Sequence, residues 1–316
     1  MHEAVTGGTE VVPLGLGKGA CVGAADAVAA AEGECAAGEW EAALLLPPQP
    51  ISITAAARTT MGDRMRGAIL PLESPVGMIG GLKVGVVIPA FNEAASIERL
   101  LPRIPRDLVD EVIVVNDCST DESSASARSG GATVIDRKQR GGPGPAIRDG
   151  LDLLRSKGYG LVAVMASNGK HDPAQLPELI RPLVDEKLDL VRGSRHLSGG
   201  GHVNMPWHRL FLIQVFTVLF SILVGKRVTD ATGGYQAYRL RILDDKRIDL
   251  HQEWLGRYEV ETYLFAKTLM CGYRWKEVPV HITYAGGKKP YTRARPVVDW
   301  WGYFRPVLLL RLGLKR

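Results

Sequence analysis

From residue 83 onward the sequence predicts an α/β fold, a mainly parallel sheet flanked by helices. Three observations predict it: short β-branched apolar runs recur, helical segments separate them, and polar loops follow the strand ends. Residues 83–89 form the first run, and Asn92 is positioned to cap a helix reaching about Leu101. Residues 111–115 form the second strand. Ser119 and Glu122 then have the spacing of a capping box that opens another helix. Residues 132–136 give a third strand, 145–156 a helix and 160–166 a fourth strand. Asp172 as cap, Pro173 at the first helical position and Gln175 start the next helix, and 188–192 form a further strand. In such a doubly wound sheet, ligands bind outside the carboxyl ends of the strands.

Residues 1–80 differ in character. They are rich in Ala, Gly and Glu and contain the break Pro47-Pro48-Gln49-Pro50. Residues 24–46 could form a loose helix, weakened by Gly33 and Gly38. They read as a poorly ordered extension without a basic signal-peptide region, and translation from Met78 is the competing reading. Residues 81–285 read as the catalytic domain and 286–316 as a basic, aromatic tail.

At 46% hydrophobic and 23% charged the chain is globular in composition, which excludes collagen-like and mucin-like classes. The net charge is +5, but residues 286–316 carry eight Lys/Arg against Asp299, so the other 285 residues sum to −2. A basic end interleaved with Trp300, Trp301, Tyr303 and Phe304 suits phosphate groups or an anionic membrane surface. No nucleic-acid partner is expected. Cys21, Cys35, Cys118 and Cys271 lack zinc spacing and read as reduced thiols of a cytoplasmic compartment. The most apolar stretch, 210–224, is about 23 Å long as a helix, short of a ~30 Å hydrocarbon layer. It reads as an amphipathic or buried helix lying at a membrane surface or in the core, not as a span.

The strand-end loops carry the chemistry. Pro89, Phe91, Asn92 and Glu93 follow the first strand, Asn116 and Asp117 the second; together they offer a stacking face and acceptors for a nucleoside. Neither a Gly-x-Gly-x-x-Gly turn nor a Gly-Lys-Ser/Thr loop follows any strand, so dinucleotide and P-loop readings fail and no organic cofactor is expected. Residues 137–145 join Arg137, Lys138 and Arg140 to flexible glycines before a helix, either a diphosphate neighbourhood or an ordinary surface loop.

The segments VVIPAFNEAASI, VIVVNDCSTDES, RGGPGPAIRDGL, VRGSRHLSGGG, VTDATGGYQAYR and YEVETYLFAKTLMCGYRWKEVPV occur in the order found in family 2 glycosyltransferases. The chain resembles their dolichyl-phosphate mannosyltransferase-like branch from about Lys83 to Pro279. The resemblance implies a GT-A fold (Rossmann-like), a GDP- or UDP-sugar donor, inversion at the anomeric carbon and a polyprenyl phosphate or glycan acceptor. In that family the region matching 210–224 lies at the membrane face near the lipid acceptor, and with the Trp-rich basic tail this leads to the expectation of a C-terminal amphipathic element at the cytoplasmic face of a membrane. Pro89, Phe91, Asn92, Glu93 and Asp117 would form the nucleoside site, with Arg148 near the donor. Arg195 and Arg209 would face the acceptor or transferred phosphate, and Asp230 and Arg239 would contact the acceptor. For a hydroxyl acceptor Asp230 is the candidate base; a phosphate acceptor is already anionic and needs none. Of the two acids near Tyr258, Glu261 rather than Glu259 is expected to face the cleft, and Glu277 is expected to be structural.

One departure stands out. Where the family places an Asp-x-Asp metal motif, this chain has Ala166 and Asn168. Three readings compete: Asn168 and Asp172 hold Mg²⁺ or Mn²⁺ weakly, Lys170 supplies the positive charge instead, or the site is inactive. The favoured reading is a weakened or absent metal. The alternatives in function are a non-catalytic nucleotide-sugar-binding protein and a sugar-1-phosphate nucleotidyltransferase; the absence of a Gly-rich, basic first loop argues against the latter.

Overall fold

The structure is a computed structural model describing residues 78–284 and 298–315. The expected extension, with its loose helix, and the basic residues Lys288, Lys289, Arg293 and Arg295 lie outside the described residues. The strands are β1 (Met78–Ile79), β2 (Leu82–Ala90), β3 (Glu111–Asn116), β4 (Thr133–Asp136), β5 (Leu161–Val164), β6 (Leu190–Ser194), β7 (Gly201–Val203), β8 (Gln236–Arg239), β9 (Trp275–Pro279) and β10 (His281–Thr283). The helices are α1 (Ala94–Leu100), α2 (Ser123–Ser129), α3 (Pro143–Ser156), α4 (Leu176–Asp185), α5 (Trp207–Val224), α6 (Glu259–Met270) and α7 (Val298–Arg311).

The central sheet runs β4-β3-β2-β5-β8-β6-β9, with β1 folded back on β2. Within that path β8 alone is antiparallel to its neighbours. The inner strands β2, β3, β5 and β6 are largely buried on both faces, and β2, β3 and β5 read as nearly continuous apolar runs, which is why they were visible in the sequence. Alternate residues face opposite layers. Val84, Val86 and Ile88 join Ile97, Leu100, Leu179 and Leu183 on one side. Val87, Ile113 and Val115 join Ile147, Leu151, Phe220, Phe265 and Val307 on the other. Helices α1, α2 and α4 therefore cover one face and α3, α5, α6 and α7 the second.

Two expected caps are not made within their own segments. Asn92 has φ +53°, and its side chain accepts from Thr120 N at 2.8 Å instead of capping α1. Ser119 Oγ accepts from Asn92 N, Ser123 Oγ from Glu93 N and Asp121 from Ala94 N. The donors at the start of α1 are thus satisfied by the neighbouring strand-end loop, and the two loops are stitched into one unit. Asp172 does cap as expected, accepting from Ala174 N at 3.0 Å at the start of a 3₁₀ turn leading into α4.

Helix α5 is longer than its apolar run suggested. It spans 18 residues with mean hydropathy 1.8, long and apolar enough to cross a membrane by length and composition. It is not amphipathic in the expected sense. Ile213, Phe216, Phe220 and Val224 pack on the domain, while the outward face carries Trp207, Phe211, Val215, Val218 and Ile222. The described part of the tail packs against the domain. Val307 and Leu310 of α7 are buried, and Trp300 and Tyr303 pack on Phe216 of α5. Its described part is a helix of the domain, with Trp301 exposed.

Candidate active site

A cleft opens at the carboxyl ends of the parallel strands. Its cavity volume is about 320 Å³, and its lining comes from the loops after β2, β3, β5 and β6, from α5, and from the segments flanking β8 and α6. Pro89, Phe91, Glu93 and Asp117 line one end. Arg140 lies over the Phe91 ring, 3.7 Å from its centroid. Asp117 is almost wholly buried and accepts from Gly141 N at 2.8 Å and Gly142 N at 2.6 Å, while Arg137 pairs with it. Before any ligand arrives, this carboxylate already fixes the glycine loop that begins α3. Asn92 braces the two loops and is not among the lining residues.

Arg148 was expected near the donor. Its guanidinium donates instead to Leu250 O at 3.2 Å, outside the lining. Ile147 faces the cleft, and the next residue on a helix is turned by about 100°. Arg239 is likewise misplaced as an acceptor contact. Because β8 is antiparallel, its last residue pairs with Leu161 at the start of β5, the end of the sheet away from the cleft. There Arg239 donates to Leu188 O and Leu183 O.

Arg195 lines the middle of the cleft and is locked. Its Nε and Nη2 each donate to Asp230 at 2.6 Å, Nη1 donates to Tyr284 Oη at 2.6 Å, and Nη2 also reaches Thr232 Oγ1. Asp230 is fully buried. Burial pushes its carboxyl up, but Arg195 outweighs this and holds it well below the usual carboxylate range. A group so held is a poor proton acceptor, and Asp230 is not among the lining residues. Its role as a general base is replaced by that of an anchor for Arg195. Glu277, expected to be structural, accepts from Thr229 N and Asp230 N and so positions that anchor from strand β9. Arg209 lines the cleft mouth at the start of α5, over the Tyr284 ring.

The loop after β5 carries the altered metal motif. Ala166, Asn168 and Lys170 all line the cleft, with a turn at Gly169 (φ +74°) between the last two. Asp172 does not join them. Its carboxylate is committed to Ala174 N and to Arg103 at 2.7 Å, so Asn168 and Asp172 form no shared metal site. Among the described residues no group of three His, Cys, Asp or Glu is placed to hold a metal ion. Burial pushes the Lys170 amine down to about 8; Glu261 opposes that shift while Arg195 and Arg209 add to it. Glu261 lines the cleft as expected; burial raises its carboxyl against the pull of Lys170 and Arg192.

Several lining residues were not anticipated. His171 is buried, stacks on Tyr235 at 4.6 Å, and accepts from Ala166 N through Nδ1, which fixes the loop after β5. Arg257 and Tyr258 reach the cleft because Gly144 lets α3 approach the segment before α6. A Cβ on Gly144 would stand 2.4 Å from Gly256 O, and Gly144 N donates to Arg257 O at 2.7 Å. Trp300 and Tyr303 arrive from α7. The signals available, a glycine inside a helix and tail aromatics, did not name their partners.

The profile described as glycosyl transferase family 2 matches residues 85–246, just over half of the chain. The chain belongs to glycosyl transferase family 2. Among its relatives, an undecaprenyl-phosphate mannosyltransferase of Micrococcus luteus is 33% identical over 206 residues, 63% of this chain and 83% of that protein. A polyprenol monophosphomannose synthase of Mycolicibacterium smegmatis is 30% identical over 229 residues, 70% of this chain and 84% of that protein. The fold is similar to glucosyl-3-phosphoglycerate synthase from Mycobacterium tuberculosis, solved with Mn²⁺, UDP and glucosyl-3-phosphoglycerate. That match has a TM-score of 0.54 and 25% identity, over 75% of this chain and 82% of that one. The GT-A architecture and the glycosyltransferase class expected from the motifs are therefore those of the family. A metal accompanies the nucleotide in that structure, whereas among the described residues here no group of three His, Cys, Asp or Glu is placed to hold one.

Proposed function

We propose that the protein transfers a hexose from a GDP- or UDP-sugar to a polyprenyl phosphate at the cytoplasmic face of a membrane. The observation that carries this reading is the locked Asp230. A hydroxyl acceptor must lose a proton to a base, and the carboxylate beside the anion-binding arginine is already committed to that arginine. A phosphate acceptor brings its own anionic oxygen and needs only cations to receive it, which Arg195 and Arg209 supply.

The layout supports the same direction. The nucleoside end, with Phe91 and Asp117, and the mouth, with Arg209 and Leu212 of α5, belong to one cleft. The mouth adjoins the outward apolar face of α5, so a lipid carrier lying in the interface would present its phosphate to the arginines. The relatives whose names specify polyprenyl and undecaprenyl phosphate acceptors point the same way.

The test is direct. Purified protein is given labelled GDP-mannose, UDP-glucose or UDP-N-acetylglucosamine with undecaprenyl phosphate in detergent, and lipid-linked sugar is detected by mass spectrometry. The expected product is a polyprenyl-phosphate hexose from one donor. Sugar transfer only to hydroxyl acceptors, abolished by Glu261→Gln, would replace this reading with one in which Glu261 is the base.

A further inference from the structure

A divalent metal at a donor diphosphate needs hard, anionic oxygen ligands. The loop that would supply them offers Ala166, Ser167, Asn168 and Gly169 before Lys170. The nearby acids have other partners: Asp172 is held by Ala174 N and Arg103, Asp117 by Gly141, Gly142 and Arg137, and Glu261 interacts with Lys170 itself. His171 spends Nδ1 on Ala166 N, and its ring is stacked against Tyr235. What remains at the metal position is one neutral amide and one hydroxyl.

The charge census points the opposite way. Among the described residues, six cationic side chains line the cleft (Arg140, Lys170, Arg192, Arg195, Arg209 and Arg257) against three carboxylates. Asp230 offsets Arg195, and an excess of positive charge still remains. Lys170 is the cation within the altered motif itself, two residues beyond Asn168. Its backbone is pinned from both sides, with N donating to Asn168 Oδ1 at 3.3 Å and O accepting from Thr283 N at 3.2 Å.

We propose that Lys170 takes the place of the divalent cation, so that this site binds nucleoside diphosphates and releases them as leaving groups without a metal. The inference rests on the glycosyl-transfer reading. In the transfer, an oxygen of the acceptor phosphate forms a bond to the anomeric carbon as the bond from that carbon to the donor diphosphate oxygen breaks. The electron pair leaves with the diphosphate, whose added charge the Lys170 ammonium meets. No proton is required from the acceptor. Glu261 lines the same cleft and pulls the Lys170 amine toward its charged form.

The experiment measures GDP and UDP binding by calorimetry, in EDTA and in added Mn²⁺, for the wild type and three variants. Lys170→Met removes the charge at similar length, Lys170→Arg retains it, and the double variant Ala166→Asp/Asn168→Asp restores the acidic pair. The wild type should bind equally within twofold in EDTA and in Mn²⁺. Lys170→Met should weaken binding about 10- to 100-fold, the span of a charge-assisted hydrogen bond, with Lys170→Arg close to wild type. The double variant should become Mn²⁺-dependent while Lys170 is intact, a readout that does not depend on whether Lys170→Met folds. Wild-type binding that EDTA abolishes, or a folded Lys170→Met that binds like wild type, overturns the inference and leaves the proposed transferase standing. Failure of any nucleoside diphosphate to bind under either condition overturns both.

Discussion

Replacing Phe211 and Ile222 by serine should release the protein from membranes without unfolding it. Both lie on the outward face of α5, 60% and 67% exposed, so they contribute little to the folded core. Burying such a side chain completely contributes about 1.5–3 kcal/mol. Scaled to the exposed fraction, each is worth about 1–2 kcal/mol on entering an interface, and the pair about 2–4 kcal/mol. At about 1.4 kcal/mol per tenfold this is roughly a 30- to 700-fold loss in vesicle partitioning. Surface substitutions of this kind typically change stability by no more than about 0.5 kcal/mol. Flotation with vesicles containing anionic lipid, paired with a thermal melt, reads both quantities. Unchanged flotation would refute the membrane role of this face. A large fall in melting temperature would show that the face is covered by protein, as in a self-associated form.

Three further outcomes are expected. Asp230→Asn leaves Arg195 buried without its counter-charge and should cost about 3–5 kcal/mol in a denaturant titration; a loss under 1 kcal/mol would mean that the arginine finds another partner. His171 is held neutral, because burial drives its pKa well below 6.5 and Lys170 and Arg195 reinforce the effect. The unfolded chain takes up that proton below about pH 6.5, so stability should fall with acid there, by up to about 1.4 kcal/mol per pH unit. His171→Gln should remove that slope. Gly144→Ala gains up to about 1 kcal/mol of helix propensity but drives a Cβ into backbone oxygens of Gly256 and Arg257, which cannot rotate away. Overpacking at about 1–3 kcal/mol should win, lowering the melting point and weakening nucleotide binding together; a stabilised variant would contradict the close approach of α3.

The first strands were legible because they are buried on both faces, so Val86, Val87, Val114 and Val115 announce themselves without knowledge of their partners. Phe91, Glu93 and Asp117 of the candidate nucleoside end were legible as positions because they follow those strands directly. Partnerships across the chain were not. Asn92 and Ser119 look like local caps, yet each serves a loop 27 or 28 residues away. Arg239 looked like an acceptor contact because the direction of β8 cannot be read from Gln236-Ala237-Tyr238-Arg239. Asp230 looked like a base because its commitment to Arg195 depends on two loops 35 residues apart. Where a side chain's role is set by one distant partner, residue type alone leaves structural and chemical readings equally open.

The candidate anion end of the cleft depends on residues that lie far along the chain from Lys170 and Arg195. Thr283 N holds the Lys170 carbonyl, Tyr284 Oη holds Arg195, and Glu277 orders the backbone at Asp230. Asp117 and the glycine loop are joined by hydrogen bonds over shorter separations, although Gly144 N also reaches forward to Arg257 O. A chain stopped short of Trp275 would therefore lack all three of these supports for Lys170, Arg195 and Asp230.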